Sequence, residues 1–495
     1  MKYHVAIAIF AGMVLPLFAQ SLYPDSSVVI GYTRFWAATS PNGGNRVSVR
    51  DSQGNIHAVY CYRWNPSPID SSEVFHVFST DNGLTWSEPE NVSRTDSFIS
   101  VEPNLAIDSH DRLHCVWKQY YDDTSTISVD YDLYYAQNDG SGWTDAVNIS
   151  NQHLGADACY SSMVVDSRDY VHVVWDMSTG PGNWDIFYSF YNDTVWSAPY
   201  RVSISPYDDA FPALAVDDND NLHVVWRKRM MNGPIMYTRY DGVSWTEPET
   251  IVSIPGGQTY LPCIVVNSQG YPRVILQWGN LPSDSGDVYY AASDGVFWSK
   301  PWNLSRTIHP SGYHSMAIDS LDNLYVVWSE KTAVMNREIY YRTYDGSTWS
   351  DIINLSQDSM YSGCPKLCNP IIANCLDLVW VSDNTYPELY VFYMKLSVLG
   401  VEAKQNSSIR FCKLRTFPNP FKDIVTIDYN LTIPSLIKIA IYDALGRMID
   451  TVHQGIQQAG TQRIIWQPKE LPTGIYFVSL KGGNYSIAKI MVKIE

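Results

Sequence analysis

Charge is scarce in this chain of 495 residues: only 17% of positions are Asp, Glu, Lys or Arg. Cations are the scarcer sign, with 34 Lys and Arg against 51 Asp and Glu, for a formal charge of −17. No basic stripe offsets that balance, which excludes nucleic acid and an anionic membrane surface as partners. Long apolar runs are missing after the first twenty residues. The one early run, Val5 to Phe18, follows Lys2 and precedes the small residue Ala19. It is too short to span a bilayer and reads as a secretory signal, residues 1–19, removed by cleavage. No Cys follows that cut, which argues against a lipid anchor, and no transmembrane anchor is expected after cleavage. What is abundant is aromatic: 35 Tyr and 17 Trp contribute to an aromatic content of 14%. That suits an all-β protein whose surfaces carry rings.

The stretch Pro212 to Ser253 reads as four short strands: PALAVD, LHVVW, IMYTRYDG and SWTEPETIVS. Turns between them hold Asp, Asn and Gly, while the strands hold Val, Ile, Tyr and Trp. The second-strand text recurs at Ile56–Tyr60, Leu113–Trp117, Val171–Trp175, Leu222–Trp226, Pro272–Leu276, Leu324–Trp328 and Leu376–Trp380. A fourth-strand Trp recurs as Trp86, Trp143, Trp196, Trp245, Trp298 and Trp349. Four-stranded units at such a period predict a β-propeller, here over residues 20–396. The seventh repeat stops before its own fourth strand, and a strand-like stretch near Val28 to Ala38 has no repeat of its own. That N-terminal strand is expected to complete the last blade, giving seven blades, with six and a stray half-blade as the rival.

Ser79-Thr80-Asp81-Asn82-Gly83-Leu84-Thr85-Trp86 resembles the Asp box of sialidase-like propellers, S-x-D-x-G-x-T-W. Degraded copies stand at Asp139-Gly140, Asp241-Gly242, Asp294-Gly295 and Asp345-Gly346, each followed by its Trp. The resemblance implies the fold and places these turns on the face away from that family's active site. Locally, Asp and Gly shape the turn and the Trp is expected to pack its hairpin.

Residues 397–415 break the period and read as a linker. From residue 416 the text changes to alternating strands with Gly and Pro turns, the pattern of a small β-sandwich over 416–495. Three ordered motifs resemble the type A C-terminal sorting domain of the type IX secretion system. They are Phe417-Pro418-Asn419-Pro420-Phe421, Tyr442-Asp443-Ala444-Leu445-Gly446-Arg447 and Leu471-Pro472-Thr473-Gly474-Ile475-Tyr476-Phe477. The resemblance implies the type IX machinery as a partner, and passage through the periplasm to the cell surface or medium. Within the motifs, Pro418 and Pro420 are expected to set the entry into the first strand. Gly446 and Gly474 read as tight-turn residues needing positive φ.

Several residues that could carry chemistry recur in phase with the blades. His57, His114, His172 and His223 occupy one repeat position, so rotational symmetry keeps them apart and a polar structural role is expected in place of a metal site. Glu73, Asp132, Asp185, Asp287, Glu338 and Glu388 open the third strands, and recurrence again points to a shared hydrogen-bonding job. Asp217, Asn219 and Asn221 lack the Gly and distal Glu of an EF-hand and read as turn formers. Asn91, Asn148, Asn303 and Asn354 begin N-x-S at one phase and read as blade structure. Of the eight cysteines, Cys364, Cys368 and Cys375 form a loose cluster with no His nearby, so small buried residues or one local bridge are expected. No metal, cofactor or catalytic residue is assigned.

The second-to-third loops and the crossings between blades vary in length, while the other turns are short and uniform. Variation confined to one face marks the binding face of a repeat protein. Around the channel mouth on that face the candidates are Tyr160, Phe211, Tyr260, Tyr313, His314, Tyr361, Asp157 and Asp208, with Glu102 and Asp209 beside them. Rings there can stack on sugars while carboxylates orient hydroxyls, or they can plug the channel. The first functional reading is a secreted or surface binding protein for a glycan or another surface protein. The alternative, implied by the family resemblance, is a sialidase-like glycoside hydrolase. That family needs an arginine triad and an Arg-Ile-Pro motif; this chain has no Arg-Ile-Pro, and spacing assigns no triad among Arg63, Arg94, Arg227 and Arg306.

Overall fold

Each repeat folds into one antiparallel sheet. The structure is a computed structural model. It describes residues 27–494 other than 34–38, 40–43, 65–70, 96–97, 121–130, 151–156, 181, 231, 281–284, 334–335, 357–360, 369–370, 372–375, 386–387, 397–410, 432–434, 444–446, 459, 469–470 and 483–484. The expected signal segment, 1–19, lies outside the described residues, as does Cys375. The chain divides into two compact units, Met1–Val398 and Leu399–Glu495.

The first unit is a β-propeller. Among the described residues it has seven four-stranded blades: 48–91, 99–148, 158–201, 208–252, 258–303, 311–354, and 361–396 with 27–33. Blades 1 and 2 are linked by a single parallel pairing, Ser72 with Ile99. Blade 4 shows the plan: Asp208–Val216 innermost, then Leu222–Arg229, Ile235–Tyr240 and Glu249–Val252. In blade 7 the outer strand is Ser27–Thr33, paired antiparallel with Glu388–Leu396. Blade 7 is joined to blade 1 by a buried ion pair in which Arg50 Nε and Nη2 each lie 2.7 Å from Asp377. Trp86 of blade 1 meets the Tyr393 ring of blade 7 edge-on at 5.1 Å.

That edge-on contact repeats around the ring and adds to the packing of the fourth-strand Trp on its own hairpin, where Trp196 lies 5.6 Å from Tyr191, Trp245 5.0 Å from Tyr240 and Trp349 5.2 Å from Tyr344. Trp196 lies 4.9 Å from Tyr135, Trp245 5.3 Å from Tyr188, Trp298 5.3 Å from Tyr237 and Trp349 5.2 Å from Tyr290, each on the preceding blade. Each of these indoles thus packs between its own hairpin and the preceding blade, in the seam.

The recurring polar residues build the frame. His114 Nε2 lies 3.2 Å from Asp108, and its Nδ1 lies 2.8 Å from the Tyr135 hydroxyl; His172 and His223 repeat both contacts. The same Asp accepts the backbone N–H groups of its turn, as Asp217 does from Asn219 and Asn221 at 2.9 Å. Burial and a second histidine push His76 down to about 3. The Ser of N-x-S accepts a third-strand N–H, at 3.0 Å from Val74 to Ser93, and donates to the acid that opens that strand, as Ser150 does to Asp132 at 3.0 Å. The side chain of Glu388 lies outside the described residues. Cys61, Cys115, Cys263, Cys364 and Cys368 are buried.

The second unit is a β-sandwich. One sheet orders Phe411–Phe417, Val425–Leu431 and Gly460–Trp466; the other orders Met448–Gln457, Ser435–Asp443, Gly474–Gly482 and Tyr485–Lys493. Its core includes Phe421, Ile427, Ile439, Trp466, Val478 and Met491. The strand Phe411–Phe417 begins inside the stretch expected as linker, so Pro418 and Pro420 follow the first strand instead of opening it. They release the chain from the first sheet, and Asn419 Oδ1 then accepts the Val492 N–H at 2.8 Å. Asp443 holds Arg447 through its N–H at 2.9 Å and its Nε at 2.7 Å. Gly446, between them, lies outside the described residues. Gly474 is not at positive φ: it starts its strand paired with Lys493, and the preceding turn is closed by the Tyr476 hydroxyl donating to the Pro472 carbonyl at 2.9 Å.

Candidate functional site

The inner strands of blades 2 to 7 share one irregularity. Their pairing with the second strand skips two residues: Glu102-Pro103, Cys159-Tyr160, Phe211-Pro212, Leu261-Pro262, Tyr313-His314 and Cys364-Pro365. Glu102, Phe211, Leu261, Tyr313 and Cys364 adopt φ of 57°, 56°, 51°, 48° and 50°, a region that costs an L-residue energy. Proline, which cannot donate to a ladder, sits where the ladder is already broken. A bulge re-aims side chains. Here six bulges lie near the end of the inner strands where the crossings enter.

The residue after each second-strand core faces these bulges, and its identity changes from blade to blade. Lys118 Nζ lies 3.0 Å from Glu102 and 5.2 Å from the centre of the Tyr160 ring. Asp176 accepts two bulge N–H groups, Tyr160 at 2.8 Å and Phe211 at 3.0 Å, and so ties blades 3 and 4 together. Arg227 stacks over Tyr260 at 4.2 Å and donates to Gln258 at 3.0 Å. Further along the strands, Arg229 lies over Phe211 at 5.6 Å and pairs with Asp208 at 3.5 Å, while Arg337 lies over Tyr313 at 5.4 Å. The Tyr160 and Phe211 rings are 4.5 Å apart.

Electrostatics at this end are set by burial. Desolvation pushes Asp176 up to about 7 and Asp209 up to about 6, and the same cause pulls Lys366 down to about 8. Burial works against the charge on Lys118 as well, but Glu102 together with Cys159 and Tyr160 outweighs it and moves Lys118 above its ordinary value.

Of the residues expected at the mouth, Tyr160, Phe211, Tyr260 and Tyr313 lie at or next to the bulges, each under a cation. Asp208 stands with Arg229. Tyr361 is half-buried at the start of its inner strand. Asp157 is drawn into loop structure, accepting the Tyr131 N–H at 3.3 Å. His314 is not a mouth residue: it is fully buried, and desolvation together with the Lys366 charge pushes it down to about 3. Alternation alone puts Tyr313 and His314 on opposite sides of the strand but does not say which of them is buried. Asp176, Gln277, Arg229 and Arg337 were missed. For Asp176 and Gln277 the available signal was a repeat position whose neighbours are constant while it varies through Lys118, Asp176, Arg227, Gln277 and Ser329.

The chain itself enters the channel. Thr39 donates to the Cys364 carbonyl at 2.8 Å, Ser162 to the Gly44 carbonyl at 3.0 Å, and the Leu105 N–H to the Arg46 carbonyl at 2.7 Å. A Cβ on Gly44 would stand 2.8 Å from the Ala213 Cβ, so only glycine fits there without a shift. These contacts reach blades 2, 3, 4 and 7. Beyond them, towards the short-turn face, the channel holds a cavity of about 580 Å³. On the bulged face a shallower cavity of about 260 Å³ lies between blades 5 and 6, lined by Trp278, Asp287, Ile308 and His309.

No curated protein matches the chain. Among solved structures, an ulvan lyase described as a new family of polysaccharide lyase aligns with a TM-score of 0.54 and 10% identity, over 76% of this chain and 100% of that one. The same lyase bound to -[GlcA(1-4)Rha3S]- aligns with a TM-score of 0.52 at 10% identity over the same shares. A Hadza microbial sialidase aligns with a TM-score of 0.42 and 16% identity, over 62% of this chain and 64% of that one. The lyase likeness shows the fold alone. Residues 415–493 match the family model described as a secretion system C-terminal sorting domain. A type IX sorting tail of this kind implies export to the cell surface or the extracellular space.

Proposed function

We propose that the protein is an exported β-propeller that binds an acidic glycan on its bulged face, delivered there by its C-terminal sorting domain. The observation that carries this reading is the set of cation–ring pairs, Lys118 with Tyr160, Arg229 with Phe211, Arg227 with Tyr260 and Arg337 with Tyr313. A chain with a charge of −17 has few cations to spend, and four of them stand over rings at one end of the propeller. A ring fixes a guanidinium in place and lowers the entropy lost when it grips a carboxylate or sulfate. Support also comes from the lyase that shares the fold and was solved with a saccharide containing glucuronate. Exposed Phe98, Ile204, Tyr207 and Ile308 on the crossings add apolar area to the same face.

The test is retention of full-length protein on uronate- or sulfate-bearing polysaccharides against neutral ones, with glycan arrays to widen the search. Arg227→Met and Arg229→Met are each expected to weaken retention by at least about tenfold, the scale of a lost charged hydrogen bond. A folded protein that no acidic polysaccharide retains would sink the reading. The hydrolase alternative gains from Arg227, Arg229 and Arg337 standing among the mouth residues. It requires turnover of a fluorogenic sialoside that disappears when Tyr260 is replaced by Phe.

For export, we infer passage through the periplasm. Removing residues 416–495 is expected to leave a folded propeller in the periplasm of a host with type IX secretion. Fusing those residues to an unrelated periplasmic protein is expected to send it outside. Normal amounts of the truncated chain in the medium would remove the sorting role.

A further inference from the structure

The cavity of about 580 Å³ lies at the other end of the axial channel from the proposed glycan face, and the chain segment around Gly44 to Arg46 stands between them. Its wall is a ring of half-buried aliphatic side chains, one from the end of each of five inner strands and one from blade 7: Ile107, Val165, Val216, Val266, Ile318 and Ile371. Arg46 also lines it, at the level of Leu105. The guanidinium of Arg46, half-buried at the cavity wall, has no hydrogen-bond or ion-pair partner among the described residues, and desolvation pulls it below its ordinary value. A cation so placed is costly unless something compensates it.

The acids at the outer rim do not supply that compensation. Asp217 and Asp319 are engaged by their turn N–H groups and by His223 and Tyr325. Asp220 and Asp322 reach back to the preceding blade, where they accept the N–H and hydroxyl of Ser167 and Ser268 at 2.7 to 2.9 Å. Asp218, exposed at the rim, stands where the neighbouring turns carry that Ser. From the rim near Ser109 to the level of Leu105 is four residues of inner strand, about 13 Å at the usual rise. The shaft thus has a cation at its inner end, an apolar wall, and carboxylates at its mouth, of which Asp218 is exposed.

We propose that this shaft is a binding site for an organic anion with an apolar body, its head on Arg46 and its body against the aliphatic ring. The separation of Arg46 from Asp218 selects the class: a small hydrophilic anion gains nothing from the wall, and an apolar neutral molecule leaves the guanidinium uncompensated. A cavity of this size is within the range that encloses a small ligand. Its place, opposite the glycan face, makes it a separate site.

Titration calorimetry of the full-length protein with decanoate, and with decanol as the neutral match, decides the matter. Decanoate is expected to bind at one site and decanol at least tenfold more weakly. Arg46→Met is expected to weaken decanoate at least tenfold without changing decanol, while Arg46→Lys, which keeps the charge, retains most of the affinity. Val216→Phe fills the shaft from its wall without touching Arg46 and is expected to block both ligands, so the site stays testable if an Arg46 variant folds poorly. Equal binding of decanoate and decanol, an unchanged decanoate affinity in Val216→Phe, or no decanoate binding by the wild-type protein would each overturn the proposal.

Discussion

At the scale of single residues, recurrence separates frame from site. His114, His172 and His223 do one job three times, each bridging an Asp and a Tyr hydroxyl. Asp176 has no counterpart of its own type, and its carboxylate ties two bulges. Burial raises it to about 7, above the ordinary carboxylate value near 4. The folded protein therefore holds a proton there that the unfolded chain has released between about pH 4 and pH 7. The contribution to stability is present below about pH 4 and is lost as pH rises through about 7, by about 1.4 kcal/mol for each unit of separation. Asp209, raised to about 6, acts in the same direction, while His76 and His314, lowered to about 3, act in the opposite one. The comparison must therefore be between proteins: the advantage of wild type over Asp176→Asn in urea unfolding is expected to be larger at pH 5 than at pH 8. An advantage independent of pH would show that Asp176 is ionised in the fold.

At the scale of elements, seams decide more than strands do. Blades 1 to 6 each set an indole against a ring of the blade before, and each short turn with a Ser and a following Asp clasps its neighbour. The seam between blades 7 and 1 uses a different device, the buried Arg50–Asp377 pair, to which the Tyr393 hydroxyl also donates at 2.7 Å. Removing one partner of a buried pair leaves the other charge without compensation, at a cost of about 3–5 kcal/mol. Asp377→Asn is expected to cost that much in chemical denaturation, and Arg50→Met with Asp377→Leu together is expected to cost less than Asp377→Asn alone. If the double variant were the less stable of the two, Coulombic desolvation would not be the governing effect. The closing strand belongs to the same seam: deleting residues 28–38 is expected to lower the melting temperature of the whole propeller, because it uncovers the edge of Glu388–Leu396. An unchanged melting temperature would mean that the ring does not depend on it.

At the scale of the whole molecule, the two units answer to different information. Repeat period, turn residues and strand composition are local quantities, so the all-β class, the four-stranded blade and the sandwich at the C-terminus were legible residue by residue. The sorting motifs were legible for the same reason, since Asp443 and Arg447 meet across one turn. In-phase recurrence likewise identified His114 and Asp217 as frame. What the sequence could not supply was anything fixed by contacts between blades. The fourth-strand Trp has a second partner on the preceding blade, as Trp245 has in Tyr188. His314 is buried and Tyr313 is not, and which of two adjacent residues faces inward is decided by what packs against the strand. Arg46 lies outside every repeat, and its place in the axial channel depends on inner strands from other blades closing around it. Local chemistry chose the strands and turns; the site was chosen by ring closure, which brings residues from far-apart blades to one axis.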